Sequence, residues 1–439
     1  MHLSPYTFLF SKENRHYAFS SLTKSLLELD FETYSKLLQL SQSENRNTIN
    51  PKFEESNSDV LYNTHIVCDR VADEYDLCKS MILNRRNDRS DVHITIAPTM
   101  DCCFSCYYCF ERHKKPAYMT RETADSIIEY VNAQTNLKNL HVTWFGGEPL
   151  MAIDIIRYFT DALLKVFKGS YSADIITTAF HVNEEVVKII KNAHITEMQV
   201  SIDGKEKTHN SVKHTFGCEN SYIRILDNIE LLNEHYPALT IGLRVNLTKQ
   251  NCNEYEELFC ELSDRFRGKR VSIIPGFIVN RNNVVSPDIF SYNEVSQFSI
   301  NLWESYKIPT PWIMYDKGQG ECAIRKINSL VVDASANIYK CWEKLGDEKY
   351  TIGKLTRGGV VTETNHELLQ RFLFGADPLN DEKCKVCKML PICFGGCPIQ
   401  RIENVFENKK NILCTTHKEK VVQWLSAYLD LKELVSSQE

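Results

Sequence analysis

The stretch Thr99-Met-Asp-Cys102-Cys103-Phe-Ser-Cys106-Tyr-Tyr-Cys109-Phe110-Glu111 decides how this chain is read. Its spacing, Cys102-x3-Cys106-x2-Cys109, offers three thiolates to one small inorganic cluster. A cubane of four irons held by three sulfurs leaves one iron open to an exogenous molecule, whereas an electron-carrying cluster is normally closed by a fourth Cys. An open iron implies chemistry at the cluster. Cys103 adds a second possible ligand set, Cys103-x2-Cys106-x2-Cys109. The same sulfurs also suit half of a zinc site, which is built from paired CxxC knuckles.

Outward from this loop, strand and helix patterns alternate. His93-Ile-Thr-Ile-Ala97 leads into the cysteines. Leu140–Phe145, Asp174–Thr178, Met198–Ile202, Leu239–Val245 and Val271–Ile274 read as later strands, rich in β-branched residues. Amphipathic helices over Thr120–Asn132, Glu184–Asn192 and Ile223–Asn233 separate them. Six β/α units of this kind predict an α/β fold, a parallel sheet curled into a partial (β/α)6 TIM-type barrel. Active sites of such barrels lie at the carboxyl ends of strands, where the cysteine loop falls. Gly146-Gly147-Glu148-Pro149 follows the second strand. Its glycines permit close backbone approach and positive φ, and Glu148 offers an acceptor for an ammonium group.

At 439 residues the chain exceeds one ordinary domain, and its 43% hydrophobic and 25% charged content is that of a soluble globular protein. A net charge of −6 with no basic stripe argues against nucleic acid or an anionic membrane as partner. Sixteen cysteines cluster rather than spread. Lys12, Glu13 and Arg15 interrupt any signal-peptide pattern, and no stretch has the apolar length of a membrane span. The expectation is a cytoplasmic protein with metal-bound thiolates rather than disulfides.

The first segment reads as a small module. Tyr6–Phe10 and His16–Phe19 predict two short strands around a polar turn at Ser11–Arg15, and Asp30 caps a helix over Phe31–Leu38. Ser41 to Ser58 reads as a loop. Two strands followed by helices fit a winged-helix-like arrangement, or equally a helical cap on the catalytic domain. The expected division is an N-terminal module over 1–90, a barrel over 91–310 and a cysteine-rich domain over 311–439.

The cysteine loop resembles the radical SAM superfamily, whose members bind S-adenosylmethionine (SAM) at the fourth iron of a [4Fe-4S] cluster. One branch carries T-x-x-C-N-F-x-C-x-Y-C-[YF]. This chain matches it except that Cys103 replaces the Asn, and Thr99, Phe104, Tyr108 and Phe110 fall in register when Cys102 is the first ligand. Gly146-Gly147-Glu148-Pro149 resembles the GGEP element that grips the SAM amino group. Ser201-Ile-Asp203-Gly204, followed by His209-Asn210, resembles the S-x-D-G element. Thr177-Thr178-Ala179 stands where relatives often carry T-T-N-G. The resemblance implies SAM contacts from Tyr108, Gly146, Gly147, Glu148, Ser201 and Arg244. The last of these would pair with the SAM carboxylate or serve in a structural ion pair.

Cys322, Cys341, Cys384, Cys387, Cys393, Cys397 and Cys414 resemble the SPASM extension, which holds two auxiliary iron–sulfur clusters. The run from Val331 to Cys341 looks like its β-hairpin, with Ala336 at the usual Gly, so a different turn geometry is expected. Ile352-Gly353-Lys354-Leu355 resembles the strand that follows. Family topology puts Cys322, Cys341 and Cys397 on the inner cluster and Cys384, Cys387, Cys393 and Cys414 on the outer one. The fourth inner ligand is unassigned, and paired zinc knuckles are the alternative. Cys68, Cys78, Cys218, Cys252 and Cys260 read as small buried hydrophobes.

The resemblance implies reductive cleavage of SAM to a 5′-deoxyadenosyl radical, which abstracts hydrogen from the substrate, with electrons from a reductant such as flavodoxin or ferredoxin. SPASM relatives mostly modify peptides. The reading is therefore a maturase that installs a thioether, a carbon–carbon crosslink or a similar change in a ribosomal precursor peptide, the first module resembling leader-peptide recognition modules. Sulfatase-maturing relatives carry a catalytic Asp where this chain has Trp342, beside Glu343. The alternatives are a sulfatase-type protein maturase, a SPASM enzyme acting on a small molecule, and a non-catalytic electron carrier or zinc scaffold.

Overall fold

The computed structural model describes residues 1–42, 53–109, 111, 115–215, 217–278, 288–310, 322–414, 418 and 420–436. They divide into two compact units, one of residues 88–295 with 327–373, the other of residues 1–87 with 296–326 and 374–439. The segments expected over 1–90, 91–310 and 311–439 are thus distributed over both.

The first unit is organised by a sheet of ten strands. Its strands are β1 (Asp91–Thr99), β2 (Asn139–Gly146), β3 (Ser170–Thr177), β4 (Ile195–Ile202), β5 (Thr240–Leu247) and β6 (Val271–Phe277), then β7 (Leu330–Val332), β8 (Asn337–Tyr339), β9 (Gly353–Thr356) and β10 (Val360–Thr362). They lie in the order β6-β5-β4-β3-β2-β1-β7-β8-β9-β10. The first six run parallel, and each of the six strands predicted from sequence overlaps one of them, with Thr178 and Leu239 falling just outside. Val92, Ile94, Thr95, Ile96 and Ala97 of β1 are all at most 4% exposed, the burial on both faces expected of a central parallel strand.

Helices α1 (Arg121–Asn132), α2 (Ile153–Val166), α3 (Glu184–Asn192), α4 (Glu206–Val212), α5 (Ser221–His235) and α6 (Tyr255–Arg265) carry the chain between strands. Side-chain caps fix three of their starts: Thr120 accepts from Thr123 N at 3.2 Å, Asn183 from Val186 N at 2.9 Å and Asn220 from Ile223 N at 3.1 Å. Trp144 of β2 and Phe159 of α2 are fully buried and meet edge to face at 5.3 Å, which binds helix to sheet.

The predicted hairpin is β7–β8, and it does more than stand alone. β7 pairs parallel with β1, Val331 opposite Thr95, so the strand feeding the cysteine loop is bonded on both sides. Ala336 sits in the turn of this hairpin. It takes the left-handed conformation that favours Gly, with φ +67. The Asp333 carboxylate imposes this, accepting from Ser335 N at 2.8 Å, Asn337 N at 2.9 Å, Asn337 Nδ2 at 2.9 Å and the Tyr339 hydroxyl at 3.1 Å.

In the second unit the expected first two strands are Thr7–Lys12 and Arg15–Ser20, joined by a third, Leu26–Leu29, into an antiparallel sheet. Asp30 caps the next helix, Phe31–Gln42, through Thr33 N at 2.8 Å. The predicted loop from Ser41 to Ser58 ends early, because Glu55–Asn63 is helical; residues 43–52 of it lie outside the described residues. A further helix covers Val71–Asn87. Phe10, Tyr17 and Phe19 share one core with Trp303, Met389, Trp424 and Tyr428, and Arg86 bonds Asp377 at 2.7 Å. The N-terminal module is therefore built together with the C-terminal segment.

Candidate active site

The cysteine loop leaves the carboxyl end of β1. Thr99 anchors its base, its hydroxyl donating to Ala117 O at 2.9 Å and accepting from Asp101 N at 3.0 Å. Cys109 N donates to Cys106 O at 3.1 Å, a tight turn that turns two of the cysteines together. Phe104 N points at Cys102 Sγ at 3.5 Å. The thiol of Cys103 also donates to Cys102, which lowers the pKa of Cys102 against the effect of burial. That same hydrogen bond, with burial and the nearby Glu148, holds Cys103 protonated, far above the ordinary thiol range. Burial pushes Cys106 up to about 11, opposed by the charge of Lys213. Phe110 lies outside the described residues.

Gly146 and Gly147 sit against this loop. Gly147 N donates to Thr99 O at 3.0 Å and Glu148 N to Asp101 O at 2.8 Å. Gly146 has φ +107, and a Cβ there would stand 2.5 Å from Thr99 O; at Gly147 it would stand 2.0 Å from Asp101 O. The glycines let the second strand end be zipped, backbone to backbone, onto the base of the loop.

Glu148 is turned inward. It has no exposure, and Oε1 accepts from Leu150 N at 3.0 Å and the Thr177 hydroxyl at 2.5 Å. Oε2 accepts from Thr178 N at 2.8 Å and the Thr178 hydroxyl at 2.5 Å. The carboxylate that the sequence offered to an ammonium group thus has both oxygens on protein donors. This also gives Thr177 and Thr178 a role that the sequence left open, and Ala179 beside them takes φ +57.

Ser201 and Arg244 are neighbours across β4 and β5 in one register pair. Arg244 Nε donates to Asn246 Oδ1 at 3.1 Å. Its side chain lies along the backbone of Gly276, where a Cβ would come within 2.3 Å of Arg244 Nε. Asp203, just past β4, is 2% exposed, as is Lys213, and the two pair at 2.5 Å. Burial disfavours both charges, but the partner outweighs it, so the Asp203 carboxyl stays below its usual range and the Lys213 ammonium above. Tyr108, between two loop cysteines, donates its hydroxyl to Asp203. Asn246 Nδ2 reaches the Tyr108 oxygen at 3.0 Å and Asp203 Oδ1 at 3.1 Å. Neither Lys213 nor Asn246 was found by motif; each is an isolated polar residue until the fold brings it beside Asp203.

His209 and Asn210 are structural. His209 Nδ1 accepts from Asp203 N at 3.3 Å, and burial with Lys213 nearby pushes its pKa down to about 3, so it is a neutral imidazole. Asn210 Oδ1 accepts from the Ser221 hydroxyl at 3.0 Å and Tyr222 N at 3.1 Å at the start of α5. Trp342 is 40% exposed and packs on Phe145, the residue before Gly146, with ring centres 5.6 Å apart.

Cys341 is buried in the same unit. Cys322, Cys384, Cys387, Cys393, Cys397 and Cys414 belong to the other. There Cys387 N donates to Cys384 O at 3.0 Å, and Phe394, Gly395 and Gly396 all take positive φ, coiling the chain between Cys393 and Cys397. Arg401 Nη2 lies 3.6 Å from Cys384 Sγ and Lys418 Nζ 3.8 Å from Cys414 Sγ. Among the described residues no cysteine is in a disulfide, and no three His, Cys, Asp or Glu side chains are arranged to hold a single metal ion. A cation thus stands near each of two of these sulfurs, Cys384 and Cys414, which suits thiolate character there.

Comparison with known proteins agrees with this geometry. Residues 96–260 match the Radical SAM superfamily. The cysteine-type anaerobic sulfatase-maturating enzyme of Clostridium novyi is 23% identical over 345 residues, covering 72% of this chain and 91% of that one. The serine-type enzyme of Bacteroides thetaiotaomicron is 21% identical over 378 residues, covering 77% and 90%. The solved structure of native anSMEcpe with bound AdoMet superposes with a TM-score of 0.61 at 16% identity, over 79% of this chain and 100% of that one. At such identity this likeness concerns the fold: an α/β, mostly parallel sheet with a C-terminal region.

Proposed function

We propose that this chain, a radical SAM enzyme, is a peptide maturase. Its six parallel strands form the partial (β/α)6 barrel, and Cys102, Cys106 and Cys109 hold the [4Fe-4S] cluster that binds SAM. The hydrogen bond from Phe104 N to Cys102 Sγ supports Cys102 as the first ligand. When bound, cluster and SAM supply a 5′-deoxyadenosyl radical for hydrogen abstraction, with a flavodoxin or ferredoxin as electron donor.

This chain's residues orient and enclose. Gly146 and Gly147 bring backbone carbonyls beside the loop for the SAM ammonium, with Glu148 holding that backbone from beneath. Ser201 and Arg244 face the SAM carboxylate or ribose, and the Tyr108 segment lies by the adenine. The SPASM field from Cys322 to Cys414 holds two auxiliary clusters, and residues 1–90 contribute a winged-helix-like module for the precursor's leader.

The observation that carries the peptide reading is Trp342 on Phe145. A half-exposed aromatic pair, one residue from the Gly146 cradle, gives the substrate side of the site a broad apolar wall rather than a carboxylate. A related structure holds AdoMet together with a peptide, which supports the same substrate class. The test is anaerobic incubation of the full chain with SAM, dithionite and peptides from any short reading frames found beside its gene. A mass change in the peptide with release of 5′-deoxyadenosine is expected. Consumption of SAM with no mass change in any such peptide overturns the maturase reading.

A second reading, conversion of a sulfatase Cys or Ser to formylglycine, is favoured by the two maturating relatives. Trp342 in place of the carboxylate opposes it, with Glu343 the neighbouring acid. A sulfatase peptide offered under the same conditions separates the two. An enzyme acting on a small molecule would leave both peptides unchanged.

A further inference from the structure

We propose that Lys213, Asp203 and Asn246 are positioning residues that hold the cluster loop by the Tyr108 hydroxyl and keep a fixed cation beside its thiolates. The inference rests on the reading that Cys102, Cys106 and Cys109 hold the SAM-binding cluster. It goes beyond that reading because none of the three touches SAM or iron in it.

The Tyr108 oxygen is met from three directions. It donates to Asp203 Oδ1, accepts from Asn246 Nδ2 at 3.0 Å and lies 3.3 Å from Lys213 Nζ. The partners come from separate elements: the end of β4, the body of β5 and the residue after α4. Each is itself fixed. Asn251 Nδ2 donates to both Asp203 O and Asn246 O at 3.0 Å, Lys213 N donates to His209 O at 2.8 Å, and the Ser221 hydroxyl donates to Lys213 O. One side chain of the loop is thereby tied to the rigid sheet.

Stability alone does not account for such a device. Burying an ion pair costs desolvation that its attraction often fails to recover, and apolar replacements of similar volume are commonly as stable or more so. A Phe at 108 among apolar neighbours would fill the space without that cost. What the polar set adds is direction and charge. Hydrogen bonds fix where Tyr108 stands between Cys106 and Cys109, and the Lys213 ammonium is held 3.3 Å from the Tyr108 hydroxyl, on the residue between two of the loop cysteines. A buried cation near a cluster favours its reduced, more negative state. Asp203 balances that cation when the loop is empty, so the charge is held in place before the cluster arrives.

The test uses the full-length protein, reconstituted anaerobically with ferrous iron and sulfide. Iron per chain is measured, and the reduced EPR signal that responds to SAM is titrated for its midpoint potential. Tyr108→Phe removes only the hydroxyl and leaves the ion pair. Lys213→Met removes the cation, with Lys213→Arg as the conservative variant and circular dichroism as the check on folding. Tyr108→Phe is expected to retain the ion pair yet bind iron or SAM about tenfold more weakly, as losses behind a metal ligand typically do, with an altered SAM-responsive spectrum. Lys213→Met is expected to move the potential of that signal to more negative values, and Lys213→Arg to return it.

A Tyr108→Phe protein identical to wild type in iron content, SAM affinity and spectrum overturns the positioning role, whether or not Lys213→Met folds. A folded Lys213→Met protein with the wild-type potential overturns the electrostatic role. Wild-type protein that takes up no iron, or shows no SAM-responsive signal, overturns the cluster reading itself and the clamp with it.

Discussion

Replacing Glu148 by Gln separates two roles that the sequence could not distinguish. If the carboxylate is a ligand for the SAM ammonium, Glu148→Gln weakens SAM binding and leaves the empty protein as stable as before. The structure predicts the reverse order of effects. All four donors around Glu148 are protein groups, two of them backbone N–H, one on each oxygen. A Gln amide has one oxygen. In either flip its NH2 faces Leu150 N or Thr178 N, donor against donor; the Thr hydroxyls can rotate, but the backbone cannot. A buried unsatisfied donor costs about 1–3 kcal/mol, and charge-assisted bonds lose roughly half their strength when the acceptor becomes neutral. A loss of about 3 kcal/mol follows, which for a unit of this size lowers the melting temperature of the cluster-free protein by roughly 6–12 °C. Differential scanning calorimetry of cluster-free wild type and variant measures it. A variant melting within a degree of wild type, but with weakened SAM binding, would refute the latch and return Glu148 to the ligand.

Three other outcomes follow from single positions. Cys103→Ser should retain the iron and SAM response of wild type, while Cys102→Ser loses the SAM-responsive EPR signal; equal loss in both would reopen the choice of ligand. Ala336→Gly should stabilise the protein, because relief of the left-handed cost, about 1–2 kcal/mol, exceeds the added unfolded-state freedom of about 0.4–1 kcal/mol; thermal melts check it, and a destabilised variant would show that Asp333 does not impose the conformation. His209 is neutral in the fold with its pKa pushed from 6.5 to about 3. As pH falls below 6.5 the unfolded chain takes up a proton that the folded one refuses. Stability therefore drops by up to about 1.4 kcal/mol per pH unit until the folded pKa is reached. His209→Asn, which keeps an acceptor for Asp203 N, should flatten urea-melt stability over that range; an unchanged slope would refute the assignment.

The parallel sheet was legible because its signal is local and repeated. β-Branched runs such as His93–Ala97 and Met198–Ile202 alternate with amphipathic helices whose periodicity is plain in the sequence, though their caps, Thr120 and Asn183, were seen only in the structure. The short strand Leu26–Leu29 was not legible, since Leu-Leu-Glu-Leu carries no β-branched residue, and pairing with Arg15–Ser20 makes it a strand. The loop cysteines and the glycines stood out because spacing alone encodes them. Lys213, Asn246 and the Thr177-Thr178 pair did not, because their chemistry exists only when strands far apart in sequence end side by side. Glu148 was found and its surroundings misjudged: nothing in Gly-Gly-Glu-Pro announces that two threonines about thirty residues later will claim its oxygens. Ala336 shows the converse, a residue that breaks the local rule while the turn around it survives on one aspartate.

The pairing of β7 with β1 has a mechanical consequence. Without residues 327–373, one flank of β1 would present bare amides and carbonyls, an adhesive edge of the kind that drives chains to aggregate. With them, the ribbon that carries Cys341 and Trp342 is stitched to the rod that ends at Thr99. A load applied to that indole by an arriving substrate would therefore be felt at the root of the cysteine loop through hydrogen bonds alone, with no hinge between them to absorb it.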